Sequence, residues 1–389
     1  MLLKSIQLHN FLSYGRESPE IAMRPLNVII GPNGSGKSNV FEAIELMRSA
    51  PGDITIPIRN GGGVRDWIWK GEPKSSIAVI DAVFDNPRGS GKMDLRYVLG
   101  FTEANQQFLI TKELIENEKS HKNRDMPYFF YKFWEGHGLL NIKEESRSLQ
   151  HEDIDPTQSI LSQRKDPVQY PELTYLGNTL SKIRLYREWS FGRYTPSRMA
   201  QKADLPNEYL EPDASNLGLV LNKLERDPVV KQKILNALQV LYDGITGYYI
   251  QVEGGTVQVF FHEGKYTIPA TRLSDGTLRY LCLLAILCHP TPPPLVCIEE
   301  PELGLHPDVL PTLAELMVEA SERGQLIVTT HSDILVDAIS DYPESVLVVE
   351  KVNGSSELRR LNAEELEPWL EKYRLGELWT SGEIGGNRW

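Results

Sequence analysis

Cysteine is scarce in this chain: 389 residues hold three, Cys282, Cys288 and Cys297. They form no CxxC pair and no metal-ligand spacing, and each lies in an apolar stretch. That argues against a disulfide framework or a zinc site and for small core residues in a reducing compartment. Long apolar runs are missing too. The longest, Leu281 to Cys288, is far too short to span a bilayer. The strand-like start Leu-Leu-Lys-Ser-Ile-Gln-Leu has no hydrophobic leader before it. The expectation is a cytoplasmic protein without a membrane partner. Sustained heptads are absent from the middle of the chain, so no long coiled-coil arm is expected. Positive charge is not in excess. The net charge of −12 argues against coating DNA through bulk electrostatics and leaves room for a local basic groove. What remains is an ordinary globular composition, 41% hydrophobic and 24% charged, for one large domain or two.

Against these absences, residues 26–39 stand out: Leu-Asn-Val-Ile-Ile-Gly-Pro-Asn-Gly-Ser-Gly-Lys-Ser-Asn. The apolar run predicts a buried strand, and the segment from Val40 predicts a helix. The turn between them fits G-x-x-x-x-G-K-S, the Walker A pattern, from Gly31 to Ser38. Gly31, Gly34 and Gly36 let backbone N–H groups of the turn, across Asn33, Gly34, Ser35 and Gly36, face phosphate oxygens. Lys37 brings positive charge to the β- and γ-phosphates, Ser38 offers a hydroxyl to Mg²⁺, and Asn39 completes the expected ATP-binding set. A chance Gly-rich turn would not have both flanks and every required position. A P-loop alone does not separate a kinase, a GTPase, a transporter subunit and a DNA machine.

Three strand-like runs follow at 76–84, 93–101 and 107–115, with antiparallel pairing expected and Asp-Asn-Pro-Arg-Gly-Ser-Gly as one turn. Residues 116–158 are polar with weak periodicity and read as an inserted, partly flexible segment. Tyr14, in Asn-Phe-Leu-Ser-Tyr-Gly, has two readings, a stacking partner for adenine or an ordinary strand-end aromatic. Residues 178–202 carry Lys182, Arg184, Arg187, Arg193, Arg198 and Lys202, with Tyr186, Trp189, Phe191 and Tyr194 between them. A nucleic-acid surface uses that mixture, and so does a plain solvated face with partner contacts. Residues 214–243 show helical spacing, and 248–261 a hairpin around Gly254-Gly255.

Three further motifs lie in the last third. Leu273-Ser274-Asp275-Gly276-Thr277 opens an apolar helix, which is an anion site or merely a good cap. Leu295-Val-Cys-Ile-Glu299-Glu300-Pro-Glu is an apolar strand ending in paired carboxylates, the Walker B layout. One acid of such a pair holds Mg²⁺ and the next polarises the attacking water. Leu326-Ile-Val-Thr-Thr-His331-Ser332 is a buried strand ending in histidine.

In that order the motifs resemble ABC-type ATPases. More closely, the chain resembles the SMC/RecF-like branch and the related AAA-type ATPases of the overcoming-lysogenization-defect class. The resemblance covers roughly residues 1–115 and 265–350. It implies ATP and Mg²⁺ as ligands, Glu299 as the metal-side acid, Glu300 as catalytic base and His331 as the γ-phosphate switch, with Lys37 assisting. Ser274, Asp275, Gly276 and Thr277 become the signature motif, which in the family reaches ATP bound by a second subunit. Ser159-Ile-Leu-Ser-Gln163 is similar to the Q-loop, which would place Gln163 at the metal. This chain departs from many relatives at three points. Glu299 replaces Asp, Asp275 replaces Gly beside a phosphate, and His306-Pro307 replaces the usual D-loop aspartate.

The expected fold is α/β. A mixed sheet holds strands at 26–30, 295–298, 326–330 and 346–350 between helices, with an antiparallel subdomain. The expected divisions are 1–115 (N-terminal ATPase lobe), 116–245 (insert), 246–350 (C-terminal lobe) and 351–389 (tail). The expected function is an ATPase, slow in turnover, that dimerises around ATP and controls DNA or a trans-acting nuclease or toxin in repair or phage defence. The alternative is an ATP-held sensor or scaffold with little need for turnover. The tandem carboxylates, the SMC-like start and the long middle argue against a transporter subunit, and the signature and His331 against a metabolite kinase. The two tryptophans of the tail, Trp379 and Trp389, suit a partner contact or packing on their own domain.

Overall fold

The structure is a computed structural model that describes residues 1–71, 77–87, 93–120, 125–134, 136–142, 145–149 and 154–386. Its centre is a six-stranded sheet in the order Arg184–Tyr186, Leu295–Glu299, Gln325–Thr329, Leu26–Ile30, Val346–Val352 and Ser355–Arg360. The first five strands run parallel, and the last turns back antiparallel. Strands buried on both faces read as continuous apolar runs, and Leu26–Ile30 and Gln325–Thr329 are buried at every position. Successive side chains point to opposite faces. Val28, Ile30, Val296, Ile298 and Val328 therefore pack into one core, while Ile29, Cys297, Ile327 and Leu347 pack into another.

The first core holds the helix Asp275–Leu287, apolar nearly all round, with the helices Leu217–Leu224, Pro228–Leu241 and Leu310–Arg323 about it. A helix without a polar face is stable only when covered on all sides. The second core holds the helices Lys37–Ser49 and Pro171–Leu180 under an eight-stranded antiparallel sheet. That sheet joins Leu3–His9 to strands 78–84, 95–104 and 107–117, and it does not stop there. The segment expected to be irregular from 116 continues it as Phe129–Trp134, His137–Ile142 and Glu145–Leu149. Tyr131 and Phe133 are buried there and Lys132 and Trp134 exposed, the alternation of a strand covered on one face. A third small sheet pairs Ile245–Glu253 with Thr256–Glu263, where the hairpin was expected. Most of the turn at 85–91 and Trp389 lie outside the described residues.

The expected central strands all lie in one sheet, which gains Arg184–Tyr186 at one edge and Ser355–Arg360 at the other. Parallel register does the assembling. Glu299 pairs with Thr329, Thr329 with Ile29, and Tyr186 with Ile298. Gly31, Glu300, Thr330 and Arg187 therefore leave adjacent strands at one carboxyl edge, the usual ligand edge of such sheets. Among the described residues no helix is long and apolar enough to cross a membrane.

Candidate active site

The turn after Leu26–Ile30 takes left-handed backbone at Gly34 (φ 75°) and Gly36 (φ 107°). Its helix begins at Lys37, three residues before the expected start at Val40. Lys37 is buried, and its Nζ donates to the Gly31 and Pro32 carbonyls at 2.8 and 3.1 Å. The ammonium thus lies folded back on the turn that would carry phosphate. Asn33 and Gly34 are exposed at the lip. Ser35 is buried and its hydroxyl has no partner among the described residues, an orphan polar group where a polar ligand is expected.

Serines brace the turn from behind. Ser356, on the antiparallel edge strand, donates to the Ser35 carbonyl and is hydrogen-bonded to Ser13 Oγ at 2.6 Å, and Asn39 Nδ2 donates to Ser13 Oγ at 2.6 Å. Gly36 sits against both Ser13 Oγ and Ser356 Oγ, so a Cβ there would collide with them. Left-handed backbone adds roughly 1–2 kcal/mol of strain for any other residue. Gly36→Ala is therefore expected to lower nucleotide affinity at least tenfold, read by titration with a fluorescent ATP analogue. Unchanged affinity would refute the brace.

Opposite the turn, Ser38 Oγ donates to Glu299 Oε1. A hydroxyl and a carboxylate oxygen in contact are hard donors suited to Mg²⁺, which keeps most of its shell as water and phosphate. The residues fit the ion: Ser38 would hold it directly, and Glu299 directly or through water. Among the described residues no cluster of three His, Cys, Asp or Glu forms an all-protein metal site.

Glu300 follows at φ 45°, a left-handed conformation rare for a residue other than glycine and frequent at functional sites. Its N–H donates to the Thr329 carbonyl at 3.0 Å, and its Oε1 lies 3.5 Å from His331 Nε2. Glu302 holds the histidine loop. Its Oε1 accepts from Thr330 Oγ1 and from the His331 N–H, both at 2.7 Å. Glu302 was legible as a residue but not as this fastener.

Arg187 was missed as a site residue. Its Nε donates to Glu299 Oε2 at 2.9 Å and its Nη1 to Glu42 Oε1 at 2.8 Å. Burial opposes its charge, but the two carboxylates outweigh that and hold the guanidinium above its usual range. The only signal in the sequence was its membership of the basic-aromatic stretch.

The family described as AAA domain, putative AbiEii toxin, type IV TA system matches residues 26–337, more than half of the chain. The chain belongs to this family. RecF, the DNA replication and repair protein of Gloeobacter violaceus, is 35% identical over 78 residues, 20% of this chain and 19% of that protein. The chromosome partition protein Smc of Mycoplasma genitalium is 31% identical over 86 residues, 22% of this chain and 9% of Smc. These matches span less than a fifth of the curated relatives' own lengths. The Smc head bound to the C-terminal winged-helix domain of ScpA shares the fold, with a TM-score of 0.59 at 16% identity over 94% of this chain and 99% of that one. The Smc head from Pyrococcus furiosus gives 0.59 at 14% identity, over 96% and 99%. The AAA-family chain thus shares the fold of Smc heads and resembles SMC- and RecF-like ATPases in its motifs.

In this AAA-family structure one expected assignment changes and several open readings are narrowed. Gln163 is not at the metal-side cluster. Its amide donates to the carbonyls of Asp155 and Gln158 and accepts from the Asp155 N–H, so it closes its own turn. The side chain beside Glu299 is Arg187. Tyr14 is buried, and its hydroxyl donates to the Gly36 carbonyl at 3.0 Å. It supports the phosphate turn and offers no face to adenine. Part of the basic-aromatic stretch faces inward: Tyr186 and Phe191 are core, Arg187 and Arg198 are ion-paired, and Trp189 lies under Arg279 at 5.5 Å. Lys182, Arg193, Lys202 and Tyr194 remain exposed, Tyr194 at 81%. Trp379 packs on its own domain and donates to the Gly386 carbonyl at 3.0 Å.

The signature turn lies at the start of Asp275–Leu287. Ser274 caps the helix, accepting from the Thr277 N–H at 3.0 Å, and Asp275 pairs with Arg198. Ser274 and Asp275 are exposed, while Gly276 and Thr277 are half-buried.

Proposed function

We propose that the chain binds ATP with Mg²⁺, hydrolyses it slowly, and closes head-to-head with a second copy around two nucleotides. The bound metal would neutralise developing phosphate charge. Lys37 swings from the Gly31 and Pro32 carbonyls to the β- and γ-phosphates. The N–H groups of 33–38 cradle the same oxygens, Glu300 orients the attacking water, and His331 contacts the γ-phosphate. The supporting observation is that the phosphate turn and the signature turn are separately anchored, as two half-sites would be. Ser38 and Asn39 are held by Glu299 and Ser13, whereas Ser274 and Asp275 are held by Thr277 and Arg198 and face outward. A monomeric kinase has no use for the second.

Closure would control DNA or a trans-acting nuclease or toxin. The family's description as a putative toxin of a type IV toxin–antitoxin system supports a defence setting, and the RecF match supports repair. The decisive experiment is the state of assembly. A non-hydrolysable ATP analogue with Mg²⁺ is expected to convert monomer to dimer in sedimentation velocity, and Ser274→Arg to prevent it while leaving nucleotide binding intact. A wild-type chain that binds the analogue and stays monomeric sinks this reading.

A further inference from the structure

Asp275 presents a physical problem. It opens the signature helix, where the positive helix end favours a carboxylate, yet on the reading above that end faces another subunit's triphosphate. A bare carboxylate there repels the phosphates. The structure pairs it with Arg198, whose side chain is only 8% exposed against 68% for Asp275. Arg198 does more than neutralise. Its Nε donates to the Phe191 carbonyl at 3.0 Å, and its Nη1 to the carbonyls of Ala270, at 3.4 Å, and Leu273. Ala270 and Leu273 begin and end the turn leading into Ser274. On the other side, Gly276 lies against the Gly304 carbonyl, where an added Cβ would approach to 2.5 Å. The signature turn is therefore wedged between Arg198 and the loop that follows Glu300.

We propose that Arg198 is a positioning residue for the signature: it fixes the turn and cancels the charge of Asp275, so that Ser274 and the helix start can meet the nucleotide of a second copy. The proposal rests on the cross-dimer reading. Its particular content is one of sign. If Asp275 is a charge that Arg198 cancels, the two partners act oppositely on closure. If the pair is only structural, losing either one weakens closure alike.

The test uses full-length Glu300→Gln protein, expected to hold ATP with little turnover, and reads the ATP-Mg²⁺ dependence of dimerisation by sedimentation velocity. Binding of a fluorescent ATP analogue to monomer is measured alongside. Arg198→Ala is expected to weaken dimerisation at least tenfold with less than a twofold change in monomer binding. Asp275→Asn, which keeps the shape and all the carbonyl contacts of Arg198, is expected to tighten it about threefold, and the double variant to lie between. Asp275→Asn keeps the proposal falsifiable if Arg198→Ala fails to fold. Weakening by Asp275→Asn, or no loss with a folded Arg198→Ala, overturns the proposal. A parent chain that stays monomeric with ATP overturns the dimer reading and this proposal with it. A parent that dimerises normally while the variants miss their signs overturns this proposal alone.

Discussion

Glu300→Gln is expected to cut steady-state ATP turnover by about 10²–10⁴-fold, the range for removing a positioned general base, with nucleotide binding preserved. The geometry argues for a clean effect. Glutamine keeps the volume and tolerates φ 45° as glutamate does. The backbone contacts that place the residue, the N–H to Thr329 and the carbonyl to Arg279 Nη2 at 3.5 Å, do not involve the side chain. What is lost is the carboxylate 3.5 Å from His331 Nε2. Single-turnover kinetics with labelled ATP give the chemical step, and a thermal melt checks that the fold is unchanged. Turnover within threefold of wild type would remove Glu300 from the role of base. The same variant separates the two readings of what ATP is for. An effector output that persists in cells while hydrolysis is lost makes ATP a structural ligand and defeats a hydrolysis-driven cycle. Glu302→Gln is the informative neighbour, because Glu302 acts through the Thr330 and His331 loop rather than on water.

The contrast between Glu300 and Arg187 shows where sequence reasoning works and where it stops. Gly31–Ser38, Ser274–Thr277, Glu299–Glu300 and His331 sit at the ends of periodic elements. Each carries a local spacing that chemistry explains, and their convergence follows from parallel strands sharing one carboxyl edge. Arg187 has no local spacing. Its partners are 112 and 145 residues away, and its place depends on the pairing of Tyr186 with Ile298, which a three-residue edge strand does not announce. Gln163 shows the converse error. A glutamine in a suggestive Ser-x-x-Ser-Gln context satisfies its own turn, because side-chain amides bond nearby backbone as readily as distant ligands. Strands 129–142 were missed for another reason. Phe129–Trp134 is apolar or aromatic at all but Lys132, and His137–Ile142 does not alternate, so neither run shows a clean period of two.

Arg187→Gln is expected to make the nucleotide-free protein less stable and its response to Mg²⁺ stronger. Arg187 is the counter-ion of two carboxylates from different elements, Glu42 on the helix after the phosphate turn and Glu299 at the end of its strand. Its side chain is 25% exposed and those of Glu42 and Glu299 are 26% and 18% exposed. Breaking a fully buried pair costs roughly 3–5 kcal/mol. Solvent screening at this depth brings the expected loss to about 1–3 kcal/mol. Metal binding at Ser38 and Glu299 competes with the guanidinium for the same carboxylate, since two cations cannot both sit on it without repulsion. Removing Arg187 removes the competitor. Ligand that binds only the folded state stabilises it by RT ln(1 + [L]/Kd), so a roughly tenfold tighter site adds about 1.4 kcal/mol at saturating ligand. The measurement is a pair of thermal melts for each protein, with the ATP analogue alone and with analogue plus Mg²⁺. The Mg²⁺-dependent gain is expected to be larger in Arg187→Gln than in wild type, on a lower starting Tm. A smaller gain would mean that Arg187 helps hold the metal-bound nucleotide, and its bond to Glu299 would then be a resting position rather than a competing one.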